Sequence, residues 1–135
     1  MHEKTFKIRR EYGEQWCAAL RTGDYEQCYG VLHENNTRKY CCLGVFCDLV
    51  KDSIELNIEL AHNEDIARST THYNGAWAEL PGEVVVLAGI TDMNGEPIDN
   101  PTLGPHTASE WNDEYGANFQ VIAELIEYFG EFYDD

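Results

Sequence analysis

The sequence predicts one α+β domain over residues 1–135, mostly helical, with a small antiparallel β-sheet or hairpin. Three observations lead there. Apolar residues recur at helical spacing in several windows. Two short β-prone runs, Gly30-Val31-Leu32 and Lys39-Tyr40-Cys41, flank a polar segment at 33–38. No repeat, low-complexity tract or linker interrupts the 135 residues, and a chain of that length buries about two thirds of its unfolded surface without staples.

The first element is a helix over residues 9–22. Tyr12, Trp16, Ala19 and Leu20 form its apolar stripe, Trp16 packs inward, and Gly23 follows as a stop. The two β-prone runs make a hairpin whose centre, Asn35-Asn36, tolerates left-handed turn geometry. Residues 39–50, KYCCLGVFCDLV, continue into a helix that is apolar nearly all round and therefore buried, with Gly44 allowing close approach to the Trp16 helix.

Residues 54–60 alternate strictly, which predicts a half-buried strand with Glu55, Asn57 and Glu59 facing water. The polar stretch 61–76 reads as a long surface connection. Pro81 and Gly89 frame a helix over 80–89 despite its three consecutive valines, because Leu80, Val84, Leu87 and Ala88 share a face. Asp92-Met93-Asn94-Gly95 is a turn; it resembles the start of a calcium loop, but its glycine comes two residues early and no Glu stands at the twelfth position. Thr107-Ala108-Ser109-Glu110 is a capping box opening a short helix, and Asn118 caps a last helix that turns Phe119, Ile122, Ala123, Ile126 and Phe129 inward.

The charge is unusual: nine Lys and Arg oppose 25 Asp and Glu, a net of −16. Residues 1–39 hold seven of the basic residues, and none follows Arg68. Such a field repels nucleic acid and anionic lipid and attracts basic protein surfaces. Neither direct nucleic-acid binding nor membrane association is expected. High charge also serves solubility, and that simpler role stands beside the functional one. The N-terminal stretch has no apolar signal region and no run approaches a membrane span, so a cytosolic protein is expected.

Cys17, Cys28, Cys41, Cys42 and Cys47 are an odd number, without paired knuckle spacing. Neither a disulfide framework nor a zinc site is expected, and no cofactor or metal ligand is assigned. Cys41 or Cys42 at a helix start could be an activated nucleophile, which makes a cysteine hydrolase using Cys42 an alternative. A catalytic cysteine needs a held base, however, and His33, His62, His72 and His106 all fall in segments read as turns or loops. Buried thiols acting as small hydrophobes is the simpler expectation.

Asn112-Asp113, walled by Trp111 and Tyr115, is either a small-ligand pocket or a turn bonded to its own backbone. Glu124, Glu127 and Glu131 follow at helical spacing, and like charges so placed each destabilise a helix by roughly 0.2–0.5 kcal/mol. A partner would offset that. The candidate partner-binding residues are therefore Glu110, Asp113, Glu114, Glu124, Glu127 and Glu131, against the commoner role of a solvated face.

Four pieces resemble a family of small uncharacterised proteins of tailed bacteriophages: Trp16-x-x-Ala19-Leu20-Arg21-x-Gly23-x-Tyr25-x-Gln27, Tyr40 to Leu49, Leu80-Pro81-x-x-Val84, and Asn112-Asp113-x-x-Gly116-x-x-Phe119-x-x-Ile122-Ala123 with Ile126-Glu127. The likeness runs from about residue 15 to 128. Trp111 stands where an aliphatic residue is usual, and 52–76 has no counterpart. The resemblance implies a phage accessory protein in the host bacterial cytoplasm, and brings no catalytic residues. Charge and resemblance together suggest a non-enzymatic anti-defence factor that binds a basic, nucleic-acid-handling surface of a bacterial host protein.

Overall fold

A computed structural model describes residues 3–35, 37–63 and 68–134. Its order is β1 (Phe6–Arg9), α1 (Arg10–Arg21), β2 (Glu26–Gln27), β3 (His33–Glu34), β4 (Lys39–Tyr40), α2 (Cys42–Val50), β5 (Ile58–Asn63) and β6 (Arg68–Tyr73). There follow α3 (Gly82–Ala88), β7 (Thr102–Leu103), β8 (His106–Thr107), α4 (Ala108–Asp113), α5 (Phe119–Phe129) and β9 (Gly130–Tyr133). Five helices thus share the described residues with nine strands. The fold is α+β, but the expectations of a mostly helical chain and of one small antiparallel sheet are both corrected. A five-stranded mixed sheet, ordered β2-β4-β3-β6-β5, stands beside two two-stranded sheets.

The five helices form where local signals place them. In α1, Gly13, Trp16, Cys17 and Leu20 are buried, and Gly23 at φ 80° ends the segment. Trp16 is fully buried, meets Phe46 of α2 at a 44° tilt with ring centroids 5.2 Å apart, and donates its indole N–H to the Cys42 carbonyl at 2.9 Å. That contact pairs α1 with α2 as expected. Cys41 caps α2, whose residues Cys42 to Cys47 are all buried. Gly44 is needed for a different neighbour than expected: a Cβ there would collide with the Leu32 carbonyl rather than with α1.

α3 starts after Pro81 and ends at Gly89, φ 63°, burying Val84, Val85 and Ala88. The capping box of α4 and the Asn118 cap of α5 are both formed. Asp92 Oδ1 accepts from the Asn94 and Glu96 amides, which closes the expected turn.

The strands depart further. The hairpin exists, but its strands are His33–Glu34 and Lys39–Tyr40, one step beyond the expected 30–32; Asn36 of its turn lies outside the described residues. The expected strand at 54–60 begins only at Ile58 and runs on to Asn63, and residues 68–73 of the supposed connection at 61–76 are strand β6, its antiparallel partner. In that register Ile58 faces Tyr73 and Leu60 faces Thr71. Tyr73 and Thr71 are buried, whereas Ile58 and Leu60 on the edge strand overhang the core and are exposed. β1 and β9 pair in parallel, Phe6 with Gly130 through Arg9 with Tyr133, bringing the chain ends together. No helix among the described residues is long and apolar enough to cross a membrane.

Candidate functional site

The capping box orients α4 so that one polar side chain points inward and its acids point out. Thr107 Oγ1 accepts from the Glu110 amide at 3.3 Å, and Glu110 Oε1 accepts from the Thr107 amide at 2.9 Å. Asn112, fully buried, then becomes a hub. Its Oδ1 accepts from the Cys42 amide at 3.2 Å and from Gln27 Nε2 at 2.7 Å; its Nδ2 donates to the Cys28 carbonyl at 2.9 Å and to Asp113 Oδ1 at 2.7 Å. The hub ties α4 to the start of α2 and to β2. A buried amide with all these bonds made is a structural joint.

Around Trp111, where a small-ligand pocket is one of two alternatives, the aromatic rings pack on one another. His106 stacks on Tyr115 with ring centroids 4.1 Å apart and meets Trp111 edge-on at 5.1 Å, while the Trp111 indole donates to the Leu103 carbonyl at 2.9 Å.

The cysteine cluster is core. Cys17, Cys28, Cys41, Cys42 and Cys47 are free and buried. The Cys42 thiol donates to the Ala108 carbonyl at 3.5 Å. Burial pushes the Cys17 and Cys41 thiols up to about 12 and raises Cys42 and Cys47 well above the usual range. A helix-start thiolate needs the opposite shift.

A cluster that the sequence did not bring forward sits where α2 meets the mixed sheet. The Asp48 carboxylate accepts from Tyr25 Oη at 2.7 Å and Lys51 Nζ at 2.7 Å, with Tyr40 Oη at 3.5 Å. Burial would raise the Asp48 carboxyl, but hydrogen bonds from Lys51 and Tyr25 outweigh it and hold the pKa below its ordinary value. His33, in strand β3 rather than a turn, stacks on Tyr40 at 4.1 Å and shares a hydrogen bond with Thr71 Oγ1 at 2.7 Å; burial lowers its pKa. The available signal was Asp48 itself, the lone charge in the apolar run 42–50. The cluster fastens α2 to the sheet.

The candidate partner-binding acids separate into two groups. Glu110, Asp113 and Glu114 lie together on or beside α4. Hydrogen bonds from the Thr107 backbone and hydroxyl hold the Glu110 carboxyl below its usual pKa, and Asp113 also accepts from the Gly30 amide at 3.0 Å. Glu124, Glu127 and Glu131 lie on α5 and β9, close to the basic N-terminal segment. Arg21 grips Glu127 with bonds of 2.8 and 2.6 Å, and Lys7 Nζ stands 3.8 Å from Glu131. Arg10 likewise pairs with Asp134 at 3.0 Å, and Lys51 with Asp48 at 2.7 Å. Glu124 is exposed.

None of those four ion pairs involves a carboxylate between Glu79 and Glu114. That segment carries Glu79, Glu83, Asp92, Glu96, Asp99, Glu110, Asp113 and Glu114 with no Lys or Arg. A protonated Glu79 would donate a hydrogen bond to the neighbouring Asp99 carboxylate, and that bond together with the charge of Asp99 raises the Glu79 carboxyl. The 79–114 segment is therefore one stretch of negative charge that those four ion pairs leave unneutralised, as they also leave Glu11, Glu14, Asp24, Glu26, Asp52, Glu55, Glu59 and Glu124 elsewhere.

Comparison with curated proteins and with solved structures finds no match. A family model described as a domain of unknown function, DUF8296, matches residues 8–129. That span runs from β1 through the last residue of α5 and includes the Asn112 hub, the buried cysteines and the acidic segment. The chain therefore belongs to the DUF8296 family of domains of unknown function.

Proposed function

We propose that this protein is a non-enzymatic binding protein, a phage accessory or anti-defence factor of the host bacterial cytoplasm. It covers a basic, nucleic-acid-handling surface of a host protein. The observation that supports this function is the unmatched charge of residues 79–114, eight carboxylates without a Lys or Arg among them. Glu110, Asp113 and Glu114 belong to that set; Glu127 and Glu131 already face Arg21 and Lys7. Fields of this kind speed association with a basic partner and weaken steeply with salt.

The test is capture of partners from a bacterial lysate at low and high salt, with and without added nucleic acid. A basic partner that salt releases and nucleic acid displaces supports the proposal. Replacing Glu83, Asp99 and Glu114 by their amides weakens that capture, whereas Glu127→Gln, at a carboxylate already held by Arg21, changes it less. Partners that ignore both salt and nucleic acid would reduce the acidity to a solubility device.

A further inference from the structure

α3 exposes one apolar side chain that the core does not use. Val86 is 71% exposed, although Val84 and Val85 beside it are buried. Val86 borders a groove of about 360 Å³ lined by Leu80, Val85, Pro97, Ile98 and Asp99. A second depression shares Leu80 and Asp99 and extends to Trp77, which is 36% exposed. Met93, 38% exposed, adds a further apolar side chain on the 91–99 turn.

The charged side chains that line these two depressions, Glu79 and Asp99, are both acidic, and further acids lie nearby in sequence. Glu83 lies on α3, Glu79 and Asp99 are in contact at the junction of the two depressions, and Asp92 and Glu96 lie on the turn. A cation that reaches α3, Arg9, is bound at the far end of the helix, where its Nη1 donates to the Leu87 carbonyl at 3.1 Å. An apolar centre with a polar rim is the anatomy of a protein interface. Glu79 and Asp99 repel each other when both are ionised; a proton on Glu79 relieves that repulsion, and a cation between them would relieve it in the proton's place.

Building on the function proposed above, we infer that the groove between α3 and the 91–99 turn docks a partner segment bearing an aliphatic side chain next to Lys or Arg. The aliphatic group packs between Val86 and Ile98. The cation bridges Glu79 and Asp99, where charge complementarity is greatest.

The test titrates the isotope-labelled full chain with a synthetic peptide alternating Lys and Leu, and with its Lys-Ser counterpart, following backbone amide shifts. The expected result is perturbation centred on residues 77–99, with the Lys-Ser peptide binding about tenfold more weakly, the scale of one interface anchor. Val86→Ser, at an exposed position, should keep the melting temperature and lose a similar factor for the Lys-Leu peptide. Equal binding of the two peptides, or perturbation confined to residues 110–115, overturns the groove while leaving a cationic partner in place. Failure of both peptides to bind overturns the groove and the cationic partner together.

Discussion

Arg21 and Glu127 form a two-point ion pair between α1 and α5, guanidinium to carboxylate at 2.8 and 2.6 Å, across 106 positions of sequence. Both side chains are partly exposed, so its contribution is limited by solvent screening to about 0.2–1 kcal/mol. Glu127→Ala should lower stability by that amount in urea titration. Glu127→Lys should lower it further by facing one cation with another. The hydrogen bond from Arg21 holds the Glu127 carboxyl below its ordinary pKa. A depressed folded pKa means the contribution is present above the unfolded carboxyl pKa and disappears as pH falls through the folded one. A Glu127→Ala difference that persists in strong acid would contradict the ion pair.

Asn112 should be the most sensitive polar position. Asn112→Ala strips partners from the Cys42 amide and the Cys28 carbonyl, and each buried group left unpaired costs about 1–3 kcal/mol. Asn112→Asp replaces the donor facing the Cys28 carbonyl and Asp113 with a second carboxylate. Burial and Asp113 raise the folded pKa of that introduced group, so stability is kept below its unfolded pKa and lost as pH rises. The variant should therefore recover part of its stability at acid pH. Melting curves against pH for the variant and the parent check this.

The cysteines predict the alkaline limit of the fold. The Cys17 and Cys41 thiols are raised by burial to about 12, from an unfolded value of 9.0. With the folded pKa raised, stability is full below 9.0 and declines as pH rises toward about 12. Native protein at neutral pH should react slowly with a thiol reagent and unfolded protein rapidly. A single fast thiol at Cys41 or Cys42 would reopen nucleophilic chemistry.

Gly44 is a packing requirement. A methyl group at that position meets the Leu32 carbonyl, which is backbone and cannot swing aside. Gly44→Ala should destabilise by about 1–3 kcal/mol or more despite the better helix propensity of alanine, because overpacking outweighs the gain of about 1 kcal/mol. Thermal denaturation decides it: a variant as stable as the parent would mean that β3 and α2 approach less closely.

The sequence by itself determined the helices, because their signals are local. The Trp16 stripe, the apolar run 42–50, the Pro81 and Gly89 ends, the Thr107 capping box and the Asn118 cap each act within a turn or two of the residues they organise. It also determined that Cys41, Cys42 and Cys47 are buried, since a run of that composition has few places outside a core. Strand pairing was decided by the tertiary structure. Two-residue strands such as β2 and β7 are too short to show a period, and β1 finds β9 only when the chain returns on itself. Charge followed the same rule: the sequence separates a basic beginning from an acidic remainder, while packing α1 against α5 sets Arg21 on Glu127 and pairing β1 with β9 sets Lys7 near Glu131. Coulomb attraction depends on distance in space, so only the folded chain could decide that Glu127 and Glu131 are partnered while the acids between Glu79 and Glu114 stay outside those ion pairs.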